Sequence, residues 1–330
     1  LLNQVSTVFG NLLSAETNDD MQELAKSIMP LLSEHGNNIT LNEKLFARIK
    51  AVYDQKDQAN LTPEQNKLLE KVYNSFVRSG ANLEGEAKEQ YRALSKELSL
   101  LTLQFGENNL KETNDYKLVL TDPAQLAGLP QSAIDAAAET AKEKGVEGWV
   151  FTLQAPSYSP FMTYASNRDL RCKLYMAYNT KCTHDNETNN LEIVKKLVNT
   201  RLAIAQLLGY SSFAEYNLQE RMAENSGNVY KLLDQLLDAY TPTAKQEYAE
   251  VEALARQLEG SDFTVMPWDW SYYSHKLKDQ KFQIDDEMLR PYFELSKVKE
   301  GVFGLATRLY GITFKKNSDI PVYHLSLIHI

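Results

Sequence analysis

Cysteine is nearly missing from this sequence, with Cys172 and Cys182 the two thiols in 330 residues. If both lie on one helix, their ten-residue spacing separates them by about 15 Å, beyond disulfide reach. Two thiols alone also make no zinc knuckle. A reducing compartment is therefore expected, and the cytoplasm is the reading. Long apolar runs are lacking too. No stretch approaches the roughly 18 consecutive apolar residues of a membrane span, and Leu1 to Phe9 has neither the basic start nor the apolar run of a signal peptide. The chain opens on Leu1 rather than Met, so the native N-terminus is expected upstream. Nor is there a basic excess. The formal net charge is −9, with Lys and Glu interspersed, and no basic stripe offsets the repulsion of a phosphate backbone, which argues against nucleic acid as a partner.

Catalytic signatures are equally sparse. A zinc hydrolase needs two His at i and i+4 on one helix face, with a Glu base between them. No H-E-x-x-H occurs, and none of His35, His184, His275, His324 and His329 has a His partner at i+3 or i+4. The nearest approach is His184 with Asp185 and Glu187, where the polar, acidic first turn of a helix explains the composition better than a metal site does. There is no G-x-S-x-G, no P-loop and no G-x-G-x-x-G, which removes the usual grounds for a serine hydrolase, an NTPase or a Rossmann enzyme. Cys172 lies in the helical run Leu170 to Tyr178 between Arg171 and Lys173. It has no base beside it in sequence and reads as a structural thiol. No catalytic residue and no metal ligand is assigned in this chain.

What is present is a composition of 43% apolar and 24% charged residues, enough for a large core. No Pro/Gly/Ser-rich stretch marks a linker, so one continuous architecture is expected. The apolar spacing is helical over most of the chain, as in Val5, Val8, Phe9, Leu12 and in Met21, Leu24, Ala25, Ile28, Leu31, Leu32. Thr40 with Glu43 predicts a capping box, and Thr62-Pro63 with Gln65 a second helix start. The longest helix is expected from about Leu83 to Leu110, where Tyr91, Leu94, Leu98, Leu101 and Phe105 form a core-facing stripe. The period then changes. Tyr116, Leu118, Leu120 and Trp149, Phe151, Leu153 alternate as strands do, with a helix over Ala133 to Lys144 between them. Helices resume from Asn167 past Asn186 to a Gly209 stop, from Val229 to Tyr240, from Thr241 with Pro242 at its first position to Gly260, and from Ser296 to Gly311. The fold class is mainly α, a multi-helix bundle with a small β insertion near 116–164.

The densest polar and aromatic cluster is Pro267-Trp268-Asp269-Trp270-Ser271-Tyr272-Tyr273. Trp268, Asp269, Trp270, Tyr272 and Tyr273 could line a peptide-binding wall, since aromatics bring large contact area with a polar handle. They suit core packing equally, with Asp269 as a helix cap.

This same cluster, followed by Leu289-Arg290-Pro291-Tyr292-Phe293, resembles a stretch of the zinc metallopeptidase family of thimet oligopeptidase and the dipeptidyl carboxypeptidases (peptidyl-dipeptidases). Leu41-Asn42-Glu43-Lys44-Leu45-Phe46, Phe76-Val77-Arg78-Ser79-Gly80-Ala81-Asn82-Leu83, and Arg201-Leu202-Ala203 with Leu207-Leu208-Gly209-Tyr210 are similar to the bacterial branch in the same order. Each motif is short; their order carries the match, which runs from the first residues to His324. The resemblance implies a bundle of the neurolysin and thimet oligopeptidase type, about twice this length, whose two halves flank a deep channel. It places the zinc site in the second half, on an H-E-x-x-H helix and a later Glu that have no counterpart here. It also implies that zinc activates a water, the motif Glu takes its proton, and hydroxide attacks the peptide carbonyl.

Three expectations follow from that resemblance. Residues 1–324 form the N-terminal half of such an oligopeptidase, a fragment that binds no zinc and is inactive alone, its partners being short peptides in the intact enzyme and the missing catalytic half. One channel wall is supplied here, with Trp268 to Tyr273 as part of it. The last six residues, 325–330, depart from the family and read as a non-native tail. The competing reading is a non-catalytic helical protein that binds peptides or a partner through an open channel-like surface.

Overall fold

The computed structural model describes residues 1–284, 286–317 and 319–324. The tail expected to be non-native, 325–330 with His329, lies outside the described residues. The chain divides into two units, Leu1–Glu112 with Cys182–Tyr240, and Thr113–Lys181 with the chain from Thr241 onward.

The first unit opens with α1 (Leu2–Ala15), α2 (Asp19–Thr40), α3 (Glu43–Asp54), α4 (Pro63–Arg78) and α5 (Gly85–Asp115), whose last turn enters the second unit. Thr62 caps α4 as the sequence predicts: its hydroxyl accepts the Gln65 N–H while the Gln65 side chain accepts the Thr62 N–H. The other expected box is displaced by two residues. α2 runs through Thr40, whose hydroxyl donates back to the Gly36 carbonyl, and Asn42 caps α3 by accepting the Leu45 N–H. Asparagine offers the stronger capping oxygen at the position where the backbone turns extended. α3 and α4 are joined by rings, with Tyr53 stacked on Tyr73 at 3.8 Å between centroids. The stripe on α5 is core-facing: Tyr91 packs with Leu41 and Ile204, and Leu101 with Ile193 and Leu197.

The second unit holds β1 (Leu118–Leu120), α6 (Gln131–Glu143), β2 (Trp149–Phe151), α7 (Ala155–Tyr164) and α8 (Arg168–Asn179). β1 and β2 pair antiparallel, with Leu120 opposite Trp149. Their apolar face meets Phe161, Met162 and Leu174 in the largest core cluster. The β insertion thus stands where period two begins, and the fold is mainly helical around it.

The single helix expected from Asn167 to Gly209 is two. α8 ends at Asn179 and α9 (Leu191–Leu207) starts after eleven intervening residues, so His184 lies in a loop and not at a helix start. Polar residues outvote helix propensity here, because Glu112 at the end of α5 offers the loop a better set of hydrogen bonds. Its carboxylate accepts the Cys182 N–H and the Thr188 hydroxyl, each at 2.8 Å, and lies 3.7 Å from His184 Nε2. α10 (Phe213–Leu218) completes the first unit's small helices.

The two helices expected around Pro242 are one, α11 (Ser226–Glu259), running from the first unit into the second. An interior proline forfeits one backbone N–H and crowds the carbonyl four residues back. Residues 242–249 are all exposed, so water can serve the freed carbonyl and the helix continues. α12 (Trp270–Phe282), α13 (Asp286–Leu289) and α14 (Leu295–Tyr310) follow, with Gly311 closing α14 at φ +67. Among the described residues no helix is long and apolar enough to cross a membrane.

Two helical faces are apolar and bare. α14 buries no residue, and its Val298, Val302, Leu305 and Leu309, spaced by four, three and four, are all exposed. The first half of α11 does the same with Tyr230, Leu233, Leu237 and Tyr240. Such stripes are the side of a helix that ordinarily faces a neighbour.

The sheet depends on one glycine. Gly148 precedes β2 at φ +95, and a β-carbon there would collide with the carbonyl oxygen of Leu120. Gly148→Ala combines a left-handed strain with that collision and is expected to cost about 2–3 kcal/mol, read as a lower urea midpoint at unchanged slope.

Candidate functional site

The aromatic segment is built on a proline-started turn. Pro267–Asp269 forms a short 3-10 helix, in which the Asp269 N–H donates to the Met266 carbonyl and the Asp269 carboxylate accepts the Met266 N–H at 3.0 Å. Asp269 occupies the position ahead of α12, but its side chain makes no bond into that helix. The carboxylate turns inward instead and is fully buried.

Its partners come from α8. Asn167 caps that helix by accepting the Leu170 N–H, and the i, i+3 spacing sets Arg168 and Arg171 on one face. Arg168 donates from Nη2 to Asp269 Oδ2 at 2.7 Å and from Nε to both carboxylate oxygens at 3.1 Å. Arg171 donates from Nη2 to Oδ1 at 2.9 Å. Its remaining donors reach the carbonyls of Ala165, Ser166 and Trp268, so a side chain only 1% exposed leaves no nitrogen unserved. Its guanidinium also lies 4.1 Å from the centre of the Tyr272 ring.

Burial pushes the Asp269 carboxyl pKa up, but the hydrogen bonds from Arg168, the Met266 N–H and Arg171 outweigh it and hold the group below its ordinary range. Tyr273 is displaced the other way. Burial and then the hydrogen bond from its hydroxyl to Glu259 at 2.9 Å raise it well above a free phenol.

The five residues named from sequence therefore divide. Asp269, Tyr272 and Tyr273 are buried, and Trp268 is half-buried against the sheet cluster with its ring edge to Tyr175. Trp270 is 41% exposed and stacks on Tyr248 at 5.9 Å, with the ring planes 6° apart. Sequence reasoning missed Arg168 as a partner and met Arg171 only as a neighbour of Cys172. The available signal was the Arg-Asp-Leu-Arg run directly behind the Asn167 cap. Glu112 left no such signal.

Metal chemistry finds no donor set here. Among the described residues no group of three His, Cys, Asp or Glu side chains converges as metal ligands would. His184 has the Glu112 carboxylate beside it, and His275 lies edge-on to the Tyr164 ring. Cys172 is half-buried on α8 and Cys182 buried in the loop, and no disulfide joins them.

The comparison with known proteins defines a class first. A family profile described as Peptidase family M3 matches residues 161–329, a stretch that contains Arg168, Arg171 and Asp269. Dipeptidyl carboxypeptidase of Escherichia coli (strain K12) is 35% identical over 326 residues, covering 98% of this chain and 48% of the relative. Oligopeptidase A of the same organism is 34% identical over 328 residues, with the same two shares. Probable cytosolic oligopeptidase A of Arabidopsis thaliana is 31% identical over 342 residues. The chain spans about half the length of these relatives. It belongs to peptidase family M3, whose members are in general zinc-dependent metallopeptidases.

The ion cluster predicts its own acid response. A carboxyl held below its unfolded value of about 3.9 contributes stability that is complete above that pH and is lost as pH falls through the lower folded value. Asp269→Asn is expected to cost about 3–5 kcal/mol near neutrality, because Arg171 is left buried with an unpaired charge. It should also remove this share of the acid loss. Urea titrations at several pH values between 2 and 7 measure both effects.

Proposed function

We propose that this chain is the front half of a zinc-dependent oligopeptidase that acts on short peptides and releases C-terminal dipeptides, with the zinc ligands and the catalytic base supplied by the other half of the family fold. The observation that carries the reading is the half-length match to family M3 relatives. The bare apolar faces of α14 and the first half of α11 support it, since contiguous exposed apolar surface of this kind marks a place where more protein packs. The described residues do not fit a zinc ion, so no step of the reaction is routed through them.

In this reading the chain supplies peptide positioning. The Trp268 to Tyr273 segment forms part of the channel wall. Trp270, stacked on Tyr248, presents ring surface to a peptide, while Asp269 and its arginines hold the segment from beneath. Flat aromatic surface of this type grips apolar side chains without sequence selectivity, as an enzyme of short, varied peptides requires.

The test is direct. Purified chain supplied with zinc chloride and an internally quenched peptide is expected to hold no stoichiometric zinc and to give no cleavage above the blank. Stoichiometric zinc together with cleavage overturns the assignment. In an enzyme carrying both halves, Trp270→Ala is expected to raise KM for short peptides about three- to tenfold with kcat within about twofold, the pattern of lost uniform binding. An unchanged KM removes Trp270 from the wall.

A further inference from the structure

A cleft of about 730 Å³ opens in the first unit between the α4 face and the residues in and just after α10. α4 contributes Lys67, Lys71, Asn74 and Arg78, spaced by four, three and four, so all of them stand on one side of the helix. From Lys67 to Arg78 that face is about 16 Å long. The opposite wall includes Tyr216 and Gln219.

Arg78 is fixed in place. Its side chain is 12% exposed, its guanidinium lies 4.1 Å from the centre of the Tyr216 ring, and Nη1 donates to Gln219 Oε1 at 2.9 Å. The Tyr216 hydroxyl donates to the Arg78 carbonyl, and the Tyr210 hydroxyl to the same Gln219 oxygen. Lys71, exposed on the same face, makes no hydrogen bond or ion pair among the described residues. Of the two carboxylates at the rim, Glu70 lies between Lys56 at 3.8 Å and Lys67 at 3.7 Å. Glu220 stands 3.6 Å from Arg78 Nε and is half exposed.

We propose that this cleft binds an acidic peptide segment, seating one carboxylate between Lys71 and Arg78, with Glu220 as the resident competitor that such a ligand displaces. A preorganised guanidinium and an unpaired ammonium two turns apart on one helix face can converge on a carboxylate between them. The volume falls in the range of ligand pockets and far exceeds one small anion. The length of the donor face matches about five extended residues. Since the chain carries a formal charge of −9, attraction for an acidic ligand has to be local to these cations, and salt should screen it. The proposal needs neither zinc nor a second half and stands or falls apart from the peptidase reading.

Isothermal titration of the purified chain with acetyl-Ala-Glu-Glu-Glu-Ala-amide at low ionic strength tests it. Binding is expected, with the Gln-for-Glu peptide weaker by tenfold or more and about 0.3 M sodium chloride weakening the acidic peptide severalfold. Lys71→Gln should weaken binding about fivefold and Glu220→Gln should tighten it about threefold. Both positions are exposed on their helix or loop, and circular dichroism confirms that each variant is folded. No binding, equal binding of the Gln peptide, an unchanged Lys71→Gln, a weakened Glu220→Gln, or inorganic phosphate binding as tightly as the peptide would each overturn the proposal.

Discussion

A carboxylate with no exposure to solvent is the constraint around which the second unit is arranged. Asp269 can be charged in that position only because Arg168 and Arg171 face it from α8 and a backbone N–H caps it from its own turn. The pairing crosses about a hundred residues of sequence and fixes the start of α12 against α8. Pairs of this kind add little net stability over an apolar substitute, because both charges lose their hydration. What they impose is uniqueness. Any slip of α12 by one residue would leave the buried Arg171 without its acid, so the orientation of Trp270, Tyr272 and Tyr273 follows from the ion cluster.

Within the second unit, elements differ in how completely they satisfy their own apolar surface. The sheet cluster of the second unit is closed on all sides by Phe151, Phe161 and Leu174, each nearly inaccessible. α14 is the opposite case, an amphipathic helix with its apolar stripe turned to water. Isolated helices of this length are marginal without a packed face. A neighbour laid on that stripe would supply the packed face the helix lacks.

Much of this was legible beforehand, and the reasons differ by element. The period-two alternation around Leu118 and Phe151 and the cap at Thr62 are local signals, and the structure places the elements where those signals stand. Errors arose where distant residues decided a local outcome. The loop around His184 exists because Glu112 accepts its backbone and hydroxyl donors, and no spacing rule links those positions. Pro242 sits inside α11 because solvent tolerates its freed carbonyl, which composition does not reveal. In the aromatic segment, sequence located the residues but not their division into a buried foundation and one outward ring. That division follows from the charge of Asp269 and the two arginines that draw it inward.

The placement of indole side chains has an optical consequence. Trp149, Trp268 and Trp270 are the chain's three tryptophans, and all three belong to the second unit. Emission excited at the red edge of protein absorption therefore reports on the sheet, the ion cluster and the start of α12, while the helices before Thr113 stay dark. A fluorescence melt and a far-ultraviolet dichroism melt observe different parts of the molecule, and any gap between them measures how independently the two units unfold.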